Sequence, residues 1–146
     1  MLPSDPPKPL QDLAFKLPDD TLTSIGAMRD KILLVNLWAT WCKPCREEMP
    51  LFQELQVQRG GETFEVVPLS VDQGSDEKPK DFYKEIGLDQ LPFLHDGTVK
   101  SLFDLKKKGV APGMPTTILV DKDGCGLGVL PGAAHWSSPD ALHLID

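Results

Sequence analysis

The chain has 146 residues, 40% hydrophobic and 25% charged, which suits a single globular domain with a real core. A formal net charge of −7 leaves no basic stripe to neutralise phosphates, so nucleic acid is excluded as a partner. No apolar run approaches the roughly 20 residues needed to cross a membrane. Met1-Leu2-Pro3-Ser4 does not open a signal peptide; read literally that start points to the cytoplasm, and the Pro-rich stretch after Met1 equally suits a start trimmed of a signal or anchor.

Residues 1–11 read as an extended Pro-rich linker, because Pro3, Pro6, Pro7 and Pro9 block helix and central strand alike. Leu13 to Leu17 is a short strand, Pro18-Asp19-Asp20 a turn, and Ser24 to Asp30 one or two helical turns. Ile32 to Ala39 is almost continuously apolar, as in a strand buried on both faces. A helix follows from Arg46 to Arg59, with Pro44 in its first turn, Met49, Phe52 and Leu55 on its apolar face, and Pro50 expected to kink it. Gly60-Gly61 ends it. Phe64 to Val71 is the next strand, in which Pro68 demands an edge or a bulge.

Ser75 or Asp76 caps a helix from Glu77 to Ile86 that stops at Gly87, with Phe82 and Ile86 on its buried face. Thr98 to Lys108 is a further helix with Val99, Leu102 and Phe103 inward and Gly109 as its stop. Its terminal Lys106-Lys107-Lys108 reads as a solvated end favoured by the helix dipole, with a docking patch as the alternative. Thr116 to Val120 is a strand, Asp121 to Gly124 a turn, and Gly126 to Leu130 its antiparallel return. Ser138-Pro139-Asp140 signals a last helix carrying Ala141, Leu142 and Ile145. The succession predicts an α/β domain over 12–146 with a mixed sheet.

The chemistry concentrates in Trp41-Cys42-Lys43-Pro44-Cys45, between the buried strand and the helix. A helix N-terminus lowers a thiol's pKa, and two intervening residues let one helical turn bring the sulfurs within bonding reach. Structural zinc needs four ligands, and Cys125, His95, His135 and His143 offer no second close pair, so a redox pair is the better reading. A peroxidase is less well supported, since no peroxide-binding motif surrounds a single cysteine. Lys43 adds a positive charge that favours a thiolate unless solvent screens it. Trp38 and Trp41 read as apolar packing around the site, with Trp41 partly exposed for docking. Cys125, the third cysteine, is either a small buried hydrophobe or the partner of a cysteine upstream of this sequence.

The pentapeptide, Pro50 and Gly113-Met114-Pro115-Thr116-Thr117 resemble the thioredoxin superfamily. Leu34 to Cys42 followed by Pro44 to Pro50, with Phe64 to Val67, Gly113 to Asp121 and Ala134-His135-Trp136, resemble its TlpA/ResA branch of bacterial, membrane-anchored, periplasmic thiol–disulfide oxidoreductases. The resemblance implies a thioredoxin fold: a mixed central sheet flanked by helices, with an N-terminal extension and a central insertion at about 73–112. It implies that Cys42 is the exposed attacking thiol, Cys45 the buried resolving one, and Pro115 a cis-proline. Pro44 and Trp41 would then meet substrate with Lys43. A backbone edge at Met114 would also pair with substrate, core packing being the alternative for that residue. Thioredoxins carry a buried aspartate where this chain has Asn36, which cannot titrate. The resemblance instead offers Glu48 as an acid/base group, against the plain reading of a surface glutamate.

By resemblance the activity is that of a protein-disulfide reductase, with no cofactor beyond the Cys42–Cys45 pair and no metal. Its partners would be cysteine-pair proteins of cytochrome oxidase assembly, including copper-site proteins, and a membrane thiol reductant would donate electrons. The location would be the periplasm, with an N-terminal membrane anchor outside this sequence. The rival readings are a cytochrome c maturation thiol reductase of the same superfamily and a non-catalytic thiol module binding copper or zinc.

Overall fold

The computed structural model describes residues 2–132 apart from 29, 110 and 112. The last helix expected from Ser138, with His135, Trp136 and His143, lies outside the described residues. The elements are β1 (Leu2–Pro9), β2 (Ala14–Lys16), β3 (Leu22–Ser24), a 3₁₀ turn (Ile25–Met28) and β4 (Ile32–Trp38). They continue with α1 (Lys43–Arg59), β5 (Phe64–Ser70), α2 (Glu77–Ile86), β6 (Leu94–His95), α3 (Lys100–Lys107), β7 (Thr116–Val120) and β8 (Cys125–Pro131). All strands join one sheet in the order β1-β8-β7-β4-β5-β6-β2-β3. β4, β5 and β6 run parallel, while β7 is antiparallel to β4. This is the thioredoxin-like, mixed-sheet architecture that the sequence predicts.

β4 lies at the centre because it is apolar on both sides. Leu33, Val35, Leu37 and Ala39 enter one core with Phe15, Ile25, Leu102 and Leu105. Leu34 and Trp38, on the opposite side of the pleat, enter a second core with Met49, Phe52, Leu55 and Tyr83. The second core also contains Cys42 and Cys45, so the redox pair is built on a packed face.

Pro68 lies within β5, opposite Asn36 of β4. Val71 N–H bonds to the Trp38 carbonyl and Ser70 accepts from Asp96 N–H, so by strand alternation Pro68 turns its nitrogen toward the β6 side. β6 begins only opposite Leu69, and two residues earlier the Val66 N–H is satisfied by the Gln56 side chain at 2.8 Å. Pro68 therefore occupies a local edge, where its missing N–H leaves no gap in the ladder.

Several expectations need correction. The proline-rich start is extended, yet it is an edge strand rather than only a linker: Leu2 pairs with Val129 and Pro9 with Cys125. An edge is where a strand tolerates proline. α2 turns Pro79 and Tyr83 inward, with Phe82 half-buried and Ile86 exposed. Its face is centred on Tyr83, whose hydroxyl bonds to the Pro92 carbonyl at 2.9 Å, and that rotation carries Ile86 outward. α3 buries Ser101, Leu102 and Leu105, while Phe103 is exposed. Its phase is set by the Asp96 carboxylate, which holds the Ser101 N–H at 2.7 Å. Lys108 is not simply a solvated end, because it donates to the Pro9 carbonyl at 2.9 Å and faces Asp12 at 3.6 Å.

Candidate active site

Cys42 is the N-cap of α1, in an extended conformation, and Pro44 follows within the first turn. Its Sγ accepts the Cys45 N–H at 3.3 Å, so a free donor of the helix N-terminus points at this sulfur. Cys42 and Cys45 form a disulfide with their Cα atoms 5.2 Å apart. The helix builds this proximity: one turn of α1 carries residue 45 back beside residue 42. Cys42 was expected to be exposed, and it is not, at 6%. Packing against the second core covers it, yet it remains the reachable half of the pair, since Cys45 is sealed at 0%. Beside them Trp41 is 65% exposed, and Lys43 and Pro44 are exposed as well. The Lys43 ammonium lies 4.0 Å from Glu47, in solvent on both sides.

β7 sets the second wall. Its first residue, Thr116, lies opposite Leu37 of β4, next to where the chain leaves β4 for the cysteine turn. The Met114–Pro115 peptide bond just before it is cis. Pro115 is buried and accepts the Gly132 N–H through its carbonyl at 2.8 Å. Met114 is half-buried and packs against both cores, including the one that holds the cysteines. Met114 thus packs against the core that holds Cys42 and Cys45, and Pro115 follows it at the same end of the sheet.

Glu48 is 1% exposed, not a surface residue. It lies one turn after Cys45 and shares the buried face of α1 with Cys45, Met49 and Phe52. Asn36 is buried beneath the site, donates to Thr117 Oγ1 at 3.1 Å, and leaves its Oδ1 without a hydrogen bond. Trp38 is fully buried, its ring 5.5 Å from Phe82 and 5.8 Å from Tyr83, and it forms the floor.

The sequence reading did not single out Asp72, around which the structure builds a hydrogen-bonded cluster next to the cysteine turn. Asp72 follows β5 and is 5% exposed. Both its carboxylate oxygens accept the Thr40 N–H at 3.1 Å, and it also accepts the Thr40 and Ser70 hydroxyls, the latter at 2.8 Å. The Thr40 carbonyl accepts from Arg46 Nη1 at 2.5 Å. His95 Nε2 lies 3.0 Å from the Asp72 carbonyl, and since a carbonyl only accepts, that nitrogen carries the proton. The signal for it was positional: an acid just past the carboxyl end of a parallel strand, one strand over from the cysteines.

Farther along the same edge, a cavity of about 570 Å³ lies between the β2–β3 hairpin and the start of α3, with His95 and Asp96 in its lining. Asp96 accepts Thr98 and Ser101 N–H groups and the Thr98 hydroxyl. Burial opposes its charge, but the bonds from Ser101 and Thr98 outweigh burial and hold the carboxyl below its ordinary value. Cys125 is half-buried on β8 and takes a weak bond from Gln11 at 3.7 Å. Among the described residues no three His, Cys, Asp or Glu side chains converge on one point, and no helix is long and apolar enough to cross a membrane.

The chain is similar to the thiol-disulfide oxidoreductase ResA of Bacillus thuringiensis, 36% identical over 97 residues, 66% of this chain and 53% of that protein. It is also similar to the thioredoxin-like protein YneN of Bacillus subtilis, 31% identical over 118 residues, 77% of this chain and 64% of that one. It therefore spans about half to two thirds of the length of these relatives. Among solved structures, the fold matches a thiol:disulfide interchange protein of the thioredoxin family from Chlorobium tepidum, with a TM-score of 0.74, 24% identity and 95% and 96% of the two chains covered. It also matches the exposed lipoprotein thioredoxin of Streptococcus pneumoniae, with a TM-score of 0.69, 23% identity and 90% and 94% covered. The profile of the AhpC/TSA family matches residues 8–125, and with a thioredoxin-like sheet and a helix-capping Cys42–Cys45 disulfide behind that match, the chain belongs to the AhpC/TSA family.

Proposed function

We propose that this chain is a thiol–disulfide oxidoreductase that reduces cysteine pairs in other proteins. The observation that carries the reading is the disulfide at the N-terminus of α1, with one sulfur reachable and the other sealed. In the reduced state the Cys42 thiolate attacks a partner's disulfide. A mixed disulfide forms, and the partner's second sulfur leaves as a thiolate and takes up a proton. Cys45 then loses its proton and attacks Cys42, so the partner departs as a dithiol carrying two electrons and the Cys42–Cys45 disulfide is restored. A separate thiol reductant must return those two electrons. Glu48 serves as the acid/base group for the buried Cys45, and Trp41, Lys43, Pro44, Met114 and Pro115 form the surface that meets the partner.

The finer reading is a periplasmic reductant for cytochrome oxidase assembly or copper-site proteins, supplied by a membrane thiol reductant. It is supported by the motif resemblance, by similarity to ResA and by the name of the similar pneumococcal protein, an exposed lipoprotein.

The equilibrium potential of the Cys42–Cys45 pair, read by thiol trapping in graded thiol buffers, tests the direction. A value near that of thioredoxin, about −270 mV, is expected, whereas one near about −120 mV makes the chain an oxidant and overturns the reading.

A further inference from the structure

We propose that Asp72 is a positioning residue for this exchange: its carboxylate grips Thr40 and so fixes the turn from which Cys42 presents its sulfur. The inference deepens the oxidoreductase reading and rests on it. Thr40 is held from both sides. Its N–H and hydroxyl are bound by Asp72, and its carbonyl is bound by Arg46, the residue after Cys45. Between these grips lies the short turn Trp41-Cys42, closed by the Cys42 N–H on the Ala39 carbonyl at 3.1 Å. With Trp41 exposed, little packing beyond these bonds holds the outer side of the turn.

Asp72 is itself anchored. Ser70 bonds its carboxylate and accepts its N–H at 3.2 Å, and His95 holds its carbonyl. Two residues on, Gly74 N–H meets the Gly97 carbonyl at 3.0 Å. A Cβ at Gly97 would lie 2.1 Å from the Gly74 oxygen, so only glycine permits this closure. The grip on Thr40 is thus built from the ends of three parallel strands.

The disulfide holds Cys42 in the oxidised state, whereas after reduction its hold comes from the backbone turn and from packing against the second core. The stabilisation of its thiolate then depends on keeping Sγ at the Cys45 N–H, now 3.3 Å away, and such a bond weakens steeply with displacement. The titratable and charged groups around this turn are Asp72, Arg46, the Lys43–Glu47 pair, His95 behind Asp72, and, on the buried face of α1, the Cys45 thiol and Glu48.

The test is the pH dependence of Cys42 alkylation by iodoacetamide in the reduced protein, followed by mass spectrometry, for Asp72→Ala, Thr40→Val and Asp72→Asn. Asparagine still accepts the Thr40 N–H, so it serves as the conservative rescue. Asp72→Ala and Thr40→Val are expected to move the midpoint upward and to slow alkylation at neutral pH by about tenfold to a hundredfold, while Asp72→Asn restores most of the rate. Wild-type profiles for both Asp72→Ala and Thr40→Val overturn the proposal. A midpoint that moves downward overturns it as well, because losing a negative charge favours the thiolate and charge, not grip, is then what acts; so does an Asp72→Asn profile that departs as far as alanine's, because accepting the Thr40 N–H is then not what matters. If Asp72→Ala fails to fold, Thr40→Val decides alone. A wild-type protein that alkylates normally but does not exchange with glutathione disulfide sinks the oxidoreductase reading, and leaves the positioning result readable.

Discussion

Two helices in this molecule begin just beyond the carboxyl ends of parallel strands, α1 after β4 and α3 after β6, and they spend their free N–H groups differently. At α1 the acceptor is the sulfur of Cys42, at 3.3 Å. At α3 the Ser101 N–H goes to the carboxylate of Asp96 at 2.7 Å, and the Lys100 N–H to the Thr98 hydroxyl at 3.2 Å. The electrostatic setting is the same, since each helix end favours a negative group. Asp96 accepts three hydrogen bonds from Thr98 and Ser101 and holds the chain at this helix start. Cys42 is a weaker acceptor, but its negative form is a nucleophile. A helix N-terminus is therefore a stabilising site or a reactive one according to the atom placed on it.

Removing the sulfur gives the largest effect. Cys42→Ser should reduce disulfide exchange to the uncatalysed background, and Cys45→Ser should accumulate mixed disulfides visible by mass spectrometry, because the release step needs the second thiol. A Cys42→Ser protein that keeps its exchange rate would break the comparison at its root. Glu48→Gln tests whether the α1 end also uses a buried carboxyl. The expected result is a changed pH–rate profile and a rate lower by about a hundredfold, in the range of general acid–base contributions. A profile that overlays the wild type removes Glu48 from the chemistry.

At the other helix, Asp96→Ala should cost about 1–2 kcal/mol of stability in a denaturant titration, as for a lost cap, with exchange at neutral pH unchanged. The folded Asp96 carboxyl titrates below its ordinary value, so its contribution is complete above that value and disappears as acidity drives the pH down through the folded one. Asp96→Asn should therefore flatten the acid limb of stability without altering the alkaline limb. The smallest effect belongs to Lys43→Ala. Its ion pair with Glu47 is exposed and 4.0 Å long, so stability should change by less than about 0.5 kcal/mol. A larger change would mean that the pair does more than sit in solvent.

The redox end of this comparison was legible in the sequence because its elements are local. An apolar strand, two spaced thiols, a first-turn proline and a buried face of Cys45, Met49, Phe52 and Leu55 all sit within one continuous stretch. The α3 end was not. The bonds that Asp96 accepts decide which side of α3 turns inward, and that choice left Phe103 outside although its spacing suited a core. Ile86 was misplaced for a similar reason, through the Tyr83–Pro92 bond. Asp72 could not be paired with Thr40 from spacing, because the parallel register of β4 and β5 brings them together across a whole helix. Pro68 was awkward in one dimension and resolves only once β6 is seen to start one residue later.

The strand at the proline-rich start bears on how the molecule assembles. β1 pairs with β8, so the first described residues meet nearly the last. Closing so long a loop adds little to its thermodynamic cost, about 0.6 kcal/mol for each doubling of length. It weighs more on rate, because contacts so distant along the chain form slowly. The β1–β8 ladder therefore joins the strands that lie farthest apart along the described chain, and it is the part of the sheet that weighs most on the molecule's contact order.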